Sequence, residues 1–302
     1  MAEPTNEPCA TCAYDVRAEL GEGPVWISDE NAVYFVDING RKVHRFVPEL
    51  GEAHHWAAPN KVAFLMPVDD GTFLAGLPDG LYRFDPKTGT FDKILEVESD
   101  KPGNRLNDGC VDLYGRGWFG TMDDSEKAAS GSLYSIEHSP DGFVLRQHDT
   151  GYSVTNGPAV SPDGKFLYVC DTPLGVIYRF DIGADGTLSN KRIFARLPEE
   201  KGYPDGVVTD CEGNVWCSTW GGGHVRSFAP DGVERAAFAI PAANVTKMAF
   251  GGDDRRTAYV TTARKGLSAE DLARHPQSGS LFTFRADKAG LPQHKIALSK
   301  AS

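Results

Sequence analysis

A short apolar strand pattern returns six times along this chain, and no other feature restricts the possible fold so strongly. It reads Tyr34-Phe35-Val36-Asp37 first, then Phe73-Leu74-Ala75-Gly76, Trp118-Phe119-Gly120-Thr121, Leu167-Tyr168-Val169-Cys170, Val215-Trp216-Cys217-Ser218 and Ala258-Tyr259-Val260-Thr261. A second pattern follows each copy: Val43-His44-Arg45-Phe46, Leu81-Tyr82-Arg83-Phe84, Leu133-Tyr134-Ser135-Ile136, Ile177-Tyr178-Arg179-Phe180, Val225-Arg226-Ser227-Phe228 and Leu281-Phe282-Thr283-Phe284. Successive copies stand about 40 to 50 residues apart, the period of propeller blades. Gly, Pro and Asp break the chain between them, as they do in all-β proteins. A small antiparallel sheet cannot bury both of its faces alone, whereas a closed ring of such sheets can, leaving only short edges.

The reading is therefore an all-β, six-bladed β-propeller. Residues 1–302 form one domain, since no Pro- or Ser-rich linker interrupts the pattern, and residues 1–12 are expected to be a flexible lead segment. Regular strand spacing also fits a two-sheet sandwich. Helical periodicity is confined to Ser268–Arg274. For closure of the ring, Tyr14–Leu20 is expected beside the outer strands of the last blade, with His294–Leu298 as a neighbouring strand.

The net charge of −11 argues against a nucleic-acid or anionic-membrane partner, either of which would select a basic face. No apolar run approaches the length of a membrane span, and Met1–Pro8 is polar with two acidic and no basic residues. These features lead us to expect a cytoplasmic monomer without a signal peptide. The six cysteines then read as free thiols in a reducing compartment. Cys9-x-x-Cys12 has no second Cys or His pair to complete a zinc site.

In a propeller the innermost strands line a central channel, so their polar residues converge from distant parts of the sequence. Four stretches at this phase carry such groups: Leu20-Gly21-Glu22-Gly23-Pro24, Arg105-Leu106-Asn107-Asp108-Gly109, Thr155-Asn156-Gly157-Pro158 and Tyr203-Pro204-Asp205-Gly206. Pro-Asp-Gly also occurs at Pro78, Pro140, Pro162 and Pro230, where it reads as an ordinary turn; only Asp205 falls on a bend entering an innermost strand. Together they bring Glu22, Asn156 and Asp205, with Asp108 as a further candidate, to one end of the channel. Such an all-oxygen set suits one divalent cation, with Ca²⁺, Zn²⁺, Mg²⁺, Mn²⁺ and Fe²⁺ all left open. Each residue taken singly is also a good turn former. Arg105 and Asn107 are candidates for binding a polar substrate, with Arg105 alternatively a channel cation that balances the carboxylates. No Gly-x-Ser-x-Gly elbow is present, and the adjacent His54 and His55 would point to opposite faces of a strand.

At these motifs, joined by Gly120-Thr121-Met122, the sequence resembles the sugar-lactonase family that includes gluconolactonase, regucalcin (senescence marker protein) and the luciferin-regenerating enzyme. Val245-Thr246-Lys247 and Thr261–Ser268 look most like the bacterial xylono- and arabinonolactonases within it. The resemblance implies a six-bladed propeller, a divalent metal on Glu22, Asn156 and Asp205, sugar-lactone contacts from Arg105 and Asn107, and acid/base catalysis by Asp205. One departure stands out: some relatives carry a substrate-contacting Glu where Ser125 aligns. The expected reaction is metal-dependent hydrolysis of an aldonolactone, a pentono-1,4-lactone such as xylonolactone or L-arabinonolactone, to the open acid. Alternatives are a hexonolactone hydrolase of the gluconolactonase type and a non-catalytic calcium- or sugar-binding propeller.

Overall fold

The computed structural model describes residues 10–298, whose body is six four-stranded antiparallel sheets. Five sheets are consecutive in the chain, each running outward from an inner strand. The inner strands are Gly21–Ile27 in blade I, Leu65–Pro67 in II, Asn104–Val111 in III, Thr155–Val160 in IV, Tyr203–Thr209 in V and Asn244–Gly251 in VI. The two recurring sequence patterns are the second and third strands of each blade. Exposure rises outward: in blade I six of seven inner-strand positions are buried, whereas five of six in the outermost strand, Glu52–Ala57, are exposed.

Large aromatic side chains fill the seams between blades. One pair spans each of the six interfaces: Tyr34–Phe73, Phe64–Phe119, Tyr152–Tyr178, Phe194–Phe228, Trp216–Phe250 and Trp26–Tyr259, with ring centroids 4.9–6.5 Å apart. These separations are the range in which aromatic pairs attract beyond simple burial. The seams, rather than any one blade, hold the apolar core.

Ring closure differs from the sequence expectation in two ways. The closing strand is Thr11–Tyr14, antiparallel to Leu281–Arg285 in blade VI, and it lies upstream of the expected Tyr14–Leu20. Thr11 and Cys12 are thus part of the sheet and not of a flexible lead, and Ala10 ahead of them is buried, its N–H donating to the Ala239 carbonyl of blade V at 3.3 Å. Residues 1–9, including Cys9 of the Cys-x-x-Cys pair, lie outside the described residues. His294–Leu298 does not join blade VI either. Ile296 bridges in parallel to Val68 of blade II, donating to the Pro67 carbonyl at 2.7 Å and accepting from Asp69 N–H at 3.1 Å. The reason is apolar burial, since Ile296 becomes wholly inaccessible there and would face solvent on an outer strand. The helix forms as expected, over Ala269–Arg274, with Ser268 and Asp271 in a reciprocal capping box.

The inner strands share a local irregularity that the sequence did not announce. In blades I, III, IV and V two residues oppose one on the neighbouring strand: Gly23-Pro24 against Phe35, Asn107-Asp108 against Gly120, Gly157-Pro158 against Val169 and Asp205-Gly206 against Ser218. Blade VI has a single extra residue, Thr246. Such bulges leave a residue out of the ladder and re-aim side chains. They also explain how Pro24 and Pro158 sit in inner strands, since an unpaired position needs no N–H. Gly157 takes a left-handed φ of 75° in its bulge, which a side chain would resist. Pro204-Asp205-Gly206 is therefore not a corner ahead of a strand, as expected, but a bulge within one.

Candidate active site

The bulges bring the candidate residues together. Glu22, Arg105, Asn107, Asn156 and Asp205 all line one cavity of about 450 Å³ at the end of the channel. None is more than 7% exposed. The smaller cavity at the other end, about 110 Å³, is lined largely by apolar residues and by no carboxylate, and Leu291–His294 forms part of its wall. His54 and His55 lie on the exposed outer strand of blade I, away from the channel.

A hydrogen-bond relay crosses the floor of the larger cavity. Arg105 Nε donates to Asp124 Oδ1 at 2.8 Å, and its Nη1 donates to the Leu106 carbonyl at 3.0 Å and to Asn107 Oδ1 at 2.6 Å. Asn107 Nδ2 donates to the Thr155 carbonyl at 2.8 Å and to Asn156 Oδ1 at 2.7 Å. Asn156 Nδ2 in turn donates to Thr172 Oγ1 at 2.8 Å. Both amide protons of Asn107 are thereby used within the protein, so Asn107 here orients the Asn156 oxygen. Arg105 keeps Nη2 without a protein partner among the described residues, on a guanidinium locked by its other two nitrogens.

Asp108 is set apart from Glu22 and Asp205 by its partner. Its Oδ1 accepts from Lys247 Nζ at 2.6 Å and from Gly109 N–H at 2.7 Å, in a pair that is 5% and 1% exposed. Glu22 Oε2 accepts from Gly23 N–H at 2.7 Å, and its other neighbour is the Asp205 carboxyl. Three buried carboxyl groups therefore share one buried ammonium. Burial first, then repulsion by Asp108, pushes Glu22 up to about 8. Asp205 is raised well above the usual carboxylate range by burial and then by Glu22. Asp108 is raised by burial, against the pull of Lys247. An excess of buried negative charge of this kind is relieved by a proton or by a cation.

The donor set accordingly fits a divalent cation. It offers two carboxylates and one amide oxygen oriented from both sides, and Asp108 Oδ2 nearby is buried without a hydrogen-bond partner. Among the described residues no three His, Cys, Asp or Glu side chains gather as a metal cluster, so an ion here would rest on the amide and on water as well. Oxygen ligands of this type suit hard cations.

Four participants escaped sequence reasoning. Asp124 anchors Arg105 and also accepts from Lys61 Nζ at 2.7 Å. Lys247 was visible only as part of a family-like stretch, although it stands beside the blade VI bulge as Asp205 stands in that of blade V. Glu126 and Lys265 line the cavity and form an ion pair across 139 residues of sequence. Ser125 faces away, its Oγ donating to Asp123 Oδ2 at 2.6 Å, and the glutamate that reaches the cavity is the next residue.

Comparison with known proteins agrees with this architecture. Residues 20–264 match the family model described as the SMP-30/Gluconolactonase/LRE-like region. The chain is 36% identical to the L-arabinolactonase of Azospirillum brasilense, over 95% of each chain. It is 32% identical to the 6-deoxy-6-sulfogluconolactonase of Pseudomonas putida, over 95% of this chain and 98% of that one. The crystal structure of a calcium-binding protein, regucalcin, from Agrobacterium tumefaciens superposes with a TM-score of 0.90 at 29% identity, covering 95% of this chain and 98% of that one. With a six-bladed ring and a family match over most of its length, this chain belongs to the SMP-30/gluconolactonase/LRE-like family.

Proposed function

We propose that this protein hydrolyses a sugar lactone to its open aldonic acid, with a divalent cation held by Glu22, Asn156 and Asp205. The observation that carries this reading is the meeting of those three side chains on the floor of one cavity beside the locked guanidinium of Arg105. The likeness to an L-arabinolactonase supports a pentono-1,4-lactone, such as L-arabinonolactone or xylonolactone, as the substrate.

In the reaction a water oxygen bonds to the lactone carbonyl carbon, the ring C–O bond breaks, and the ring oxygen leaves as a hydroxyl. Asp205 takes a proton from the attacking water and returns it to the ring oxygen. Burial beside Glu22 raises the proton affinity of Asp205 in the metal-free site, and a carboxyl group held within reach of the water and the ring oxygen can take up and return a proton. Arg105 Nη2 donates to a substrate hydroxyl or carbonyl, and Asp124 and Asn107 hold the guanidinium in place. Asn107 also keeps the Asn156 oxygen turned to the floor. The cation, when bound, supplies Lewis-acid polarisation of the carbonyl.

A pH-indicator assay on pentono- and hexonolactones, before and after chelation and with single metals restored, tests the proposal. Metal-dependent turnover that favours a pentonolactone is expected. The second reading, a calcium-binding propeller without turnover, draws on the likeness to the calcium-binding regucalcin. Hydrolysis no faster than the spontaneous rate, together with calcium binding, would select it.

A further inference from the structure

Charge is distributed unevenly around the cavity wall. Ile38, Val154 and Trp220, from blades I, IV and V, are apolar parts of the lining; besides the carboxyl groups of Glu22 and Asp205, the charged lining is Arg105 and Glu126 from blade III and Lys265 from blade VI. Arg105 is buried at the floor, but the side chains of Glu126 and Lys265 are 43% and 34% exposed and so stand at the mouth. The pair links two blades that are not neighbours in the ring, across the opening.

The loop that presents Glu126 is built for the purpose. Asp123 accepts from the N–H groups of Ser125, Lys127 and Ala128 at 3.0–3.2 Å and from the Ser125 hydroxyl. Glu126 itself has a left-handed φ of 58°, sparsely populated for a residue with a side chain, and its N–H donates to the Asp123 carbonyl at 2.9 Å. On the other side, the Lys265 N–H donates to the Glu19 carbonyl at 2.8 Å and its carbonyl accepts from Asn244 Nδ2 at 3.0 Å. Neither charge hangs on a loose terminus.

We infer that the Glu126–Lys265 pair is the specificity-determining element of the site: it receives the end of the substrate remote from the reacting carbonyl and selects uncharged, hydroxyl-bearing tails over anionic ones. This rests on the lactonase reading above, because a carbonyl at the floor directs the rest of the molecule toward the mouth. A carboxylate accepts and an ammonium donates, so together they satisfy a diol on both counts. An anionic tail meets Glu126 as a like charge and can reach Lys265 only by separating the pair. Relatives whose printed names differ in tail charge, L-arabinolactonase and 6-deoxy-6-sulfogluconolactonase, indicate that tail charge varies within the family.

The test is binding of two open acids, gluconate and 6-phosphogluconate, measured by titration calorimetry on the metal-loaded protein and on Glu126→Gln, Lys265→Met and Glu212→Gln. Glu212, paired with Lys288, does not line the cavity and controls for the change in net charge. Glu126→Gln should tighten 6-phosphogluconate by about tenfold or more relative to gluconate, by freeing Lys265. Lys265→Met should weaken gluconate and fail to tighten 6-phosphogluconate, and Glu212→Gln should leave the ratio where it was. The inference is overturned if Glu126→Gln moves both ligands alike, or no more than the control does. Turnover of L-arabinono-1,4-lactone and of glucono-1,5-lactone by the wild type is assayed alongside. A charge-dependent swing in binding without turnover would keep the subsite and remove the hydrolase reading.

Discussion

Asp205 and Asp210 stand five residues apart, within and just beyond one strand of blade V, and they are 4% and 0% exposed. Their surroundings could hardly differ more. Asp210 accepts from Glu212 N–H, Asn214 N–H, Asn214 Nδ2 and Trp216 Nε1, all at 2.8–2.9 Å. Blade III repeats the arrangement, with Asp112 accepting from Tyr114 and Arg116 N–H and from Trp118 Nε1 at 2.9–3.0 Å. Asp205, by contrast, has another carboxyl as its hydrogen-bonding neighbour. Burial alone therefore does not mark a functional carboxylate. What sets Asp205 apart is burial against the carboxyl groups of Glu22 and Asp108, in place of the backbone and indole donors that hold Asp210.

The contrast breaks most sharply at Asp205. Asp205→Ala should lower lactone turnover by about 10³-fold, within the range of a lost acid/base group, and should remove stabilisation by added divalent metal. Thermal unfolding of the metal-free variant should be no worse than wild type, because the change relieves the crowding of buried carboxyl groups beside Glu22. Asp210→Ala should do the reverse, costing about 2–4 kcal/mol of stability by orphaning several buried donors, with kcat of the folded fraction retained. Denaturant titration beside kinetics reads both. If Asp210→Ala also abolished kcat, the division between the two aspartates would fail.

Arg105→Lys sharpens the picture at a lower level. A lysine cannot hold Asp124 and Asn107 from separate nitrogens while leaving a third for substrate, so KM should rise by about tenfold. Metal affinity measured by calorimetry should change far less. A loss of metal binding would instead make Arg105 the balancing cation of the channel.

The effect of pH on the metal-free protein sharpens the comparison from another side. Glu22 holds its proton in the fold up to about 8, whereas in the unfolded chain it would lose it near 4.5, the ordinary range of a glutamate. The folded state thus binds more protons across that window, and the contribution of Glu22 to stability is full at its lower end and lost as pH rises through its upper end. Asp205 acts in the same direction. A divalent cation replaces those protons, so its stabilising effect should grow over the same interval; thermal unfolding at pH 5 and pH 8.5, with and without metal, checks the sign.

The ring was legible because its period is long and its strands are apolar: the six copies of Tyr34–Asp37 and of Val43–Phe46 need only counting. Glu22, Asn156 and Asp205 could be located for the same reason, since each occupies one phase of the repeat. The bulges were not legible. An extra residue in a ladder shows only against its partner strand, and Pro204-Asp205-Gly206 looks like a turn until Thr219 and Cys217 are seen opposite its flanks. Lys247 and Asp108 meet across 139 residues, as do Glu126 and Lys265, and no local pattern announces either meeting. Ser125 shows the limit of reading position for position: its hydroxyl turns to Asp123, and the side chain that lines the cavity is that of Glu126, one residue along on a left-handed backbone.

The strand that seals the ring also sets a schedule. Thr11 is among the first of the described residues to be synthesised, and its hydroxyl donates to the Thr283 carbonyl, 272 residues later. During synthesis the early blades can form while this strand has nothing to pair with. Contacts so far apart form slowly, and an unpaired edge exposed meanwhile invites association with other chains. Glu22 in blade I and Asp205 in blade V likewise come together only as the circle completes. The active cavity therefore belongs to the finished ring alone, and a ribosome stalled before Leu281 would hold five blades and no enzyme.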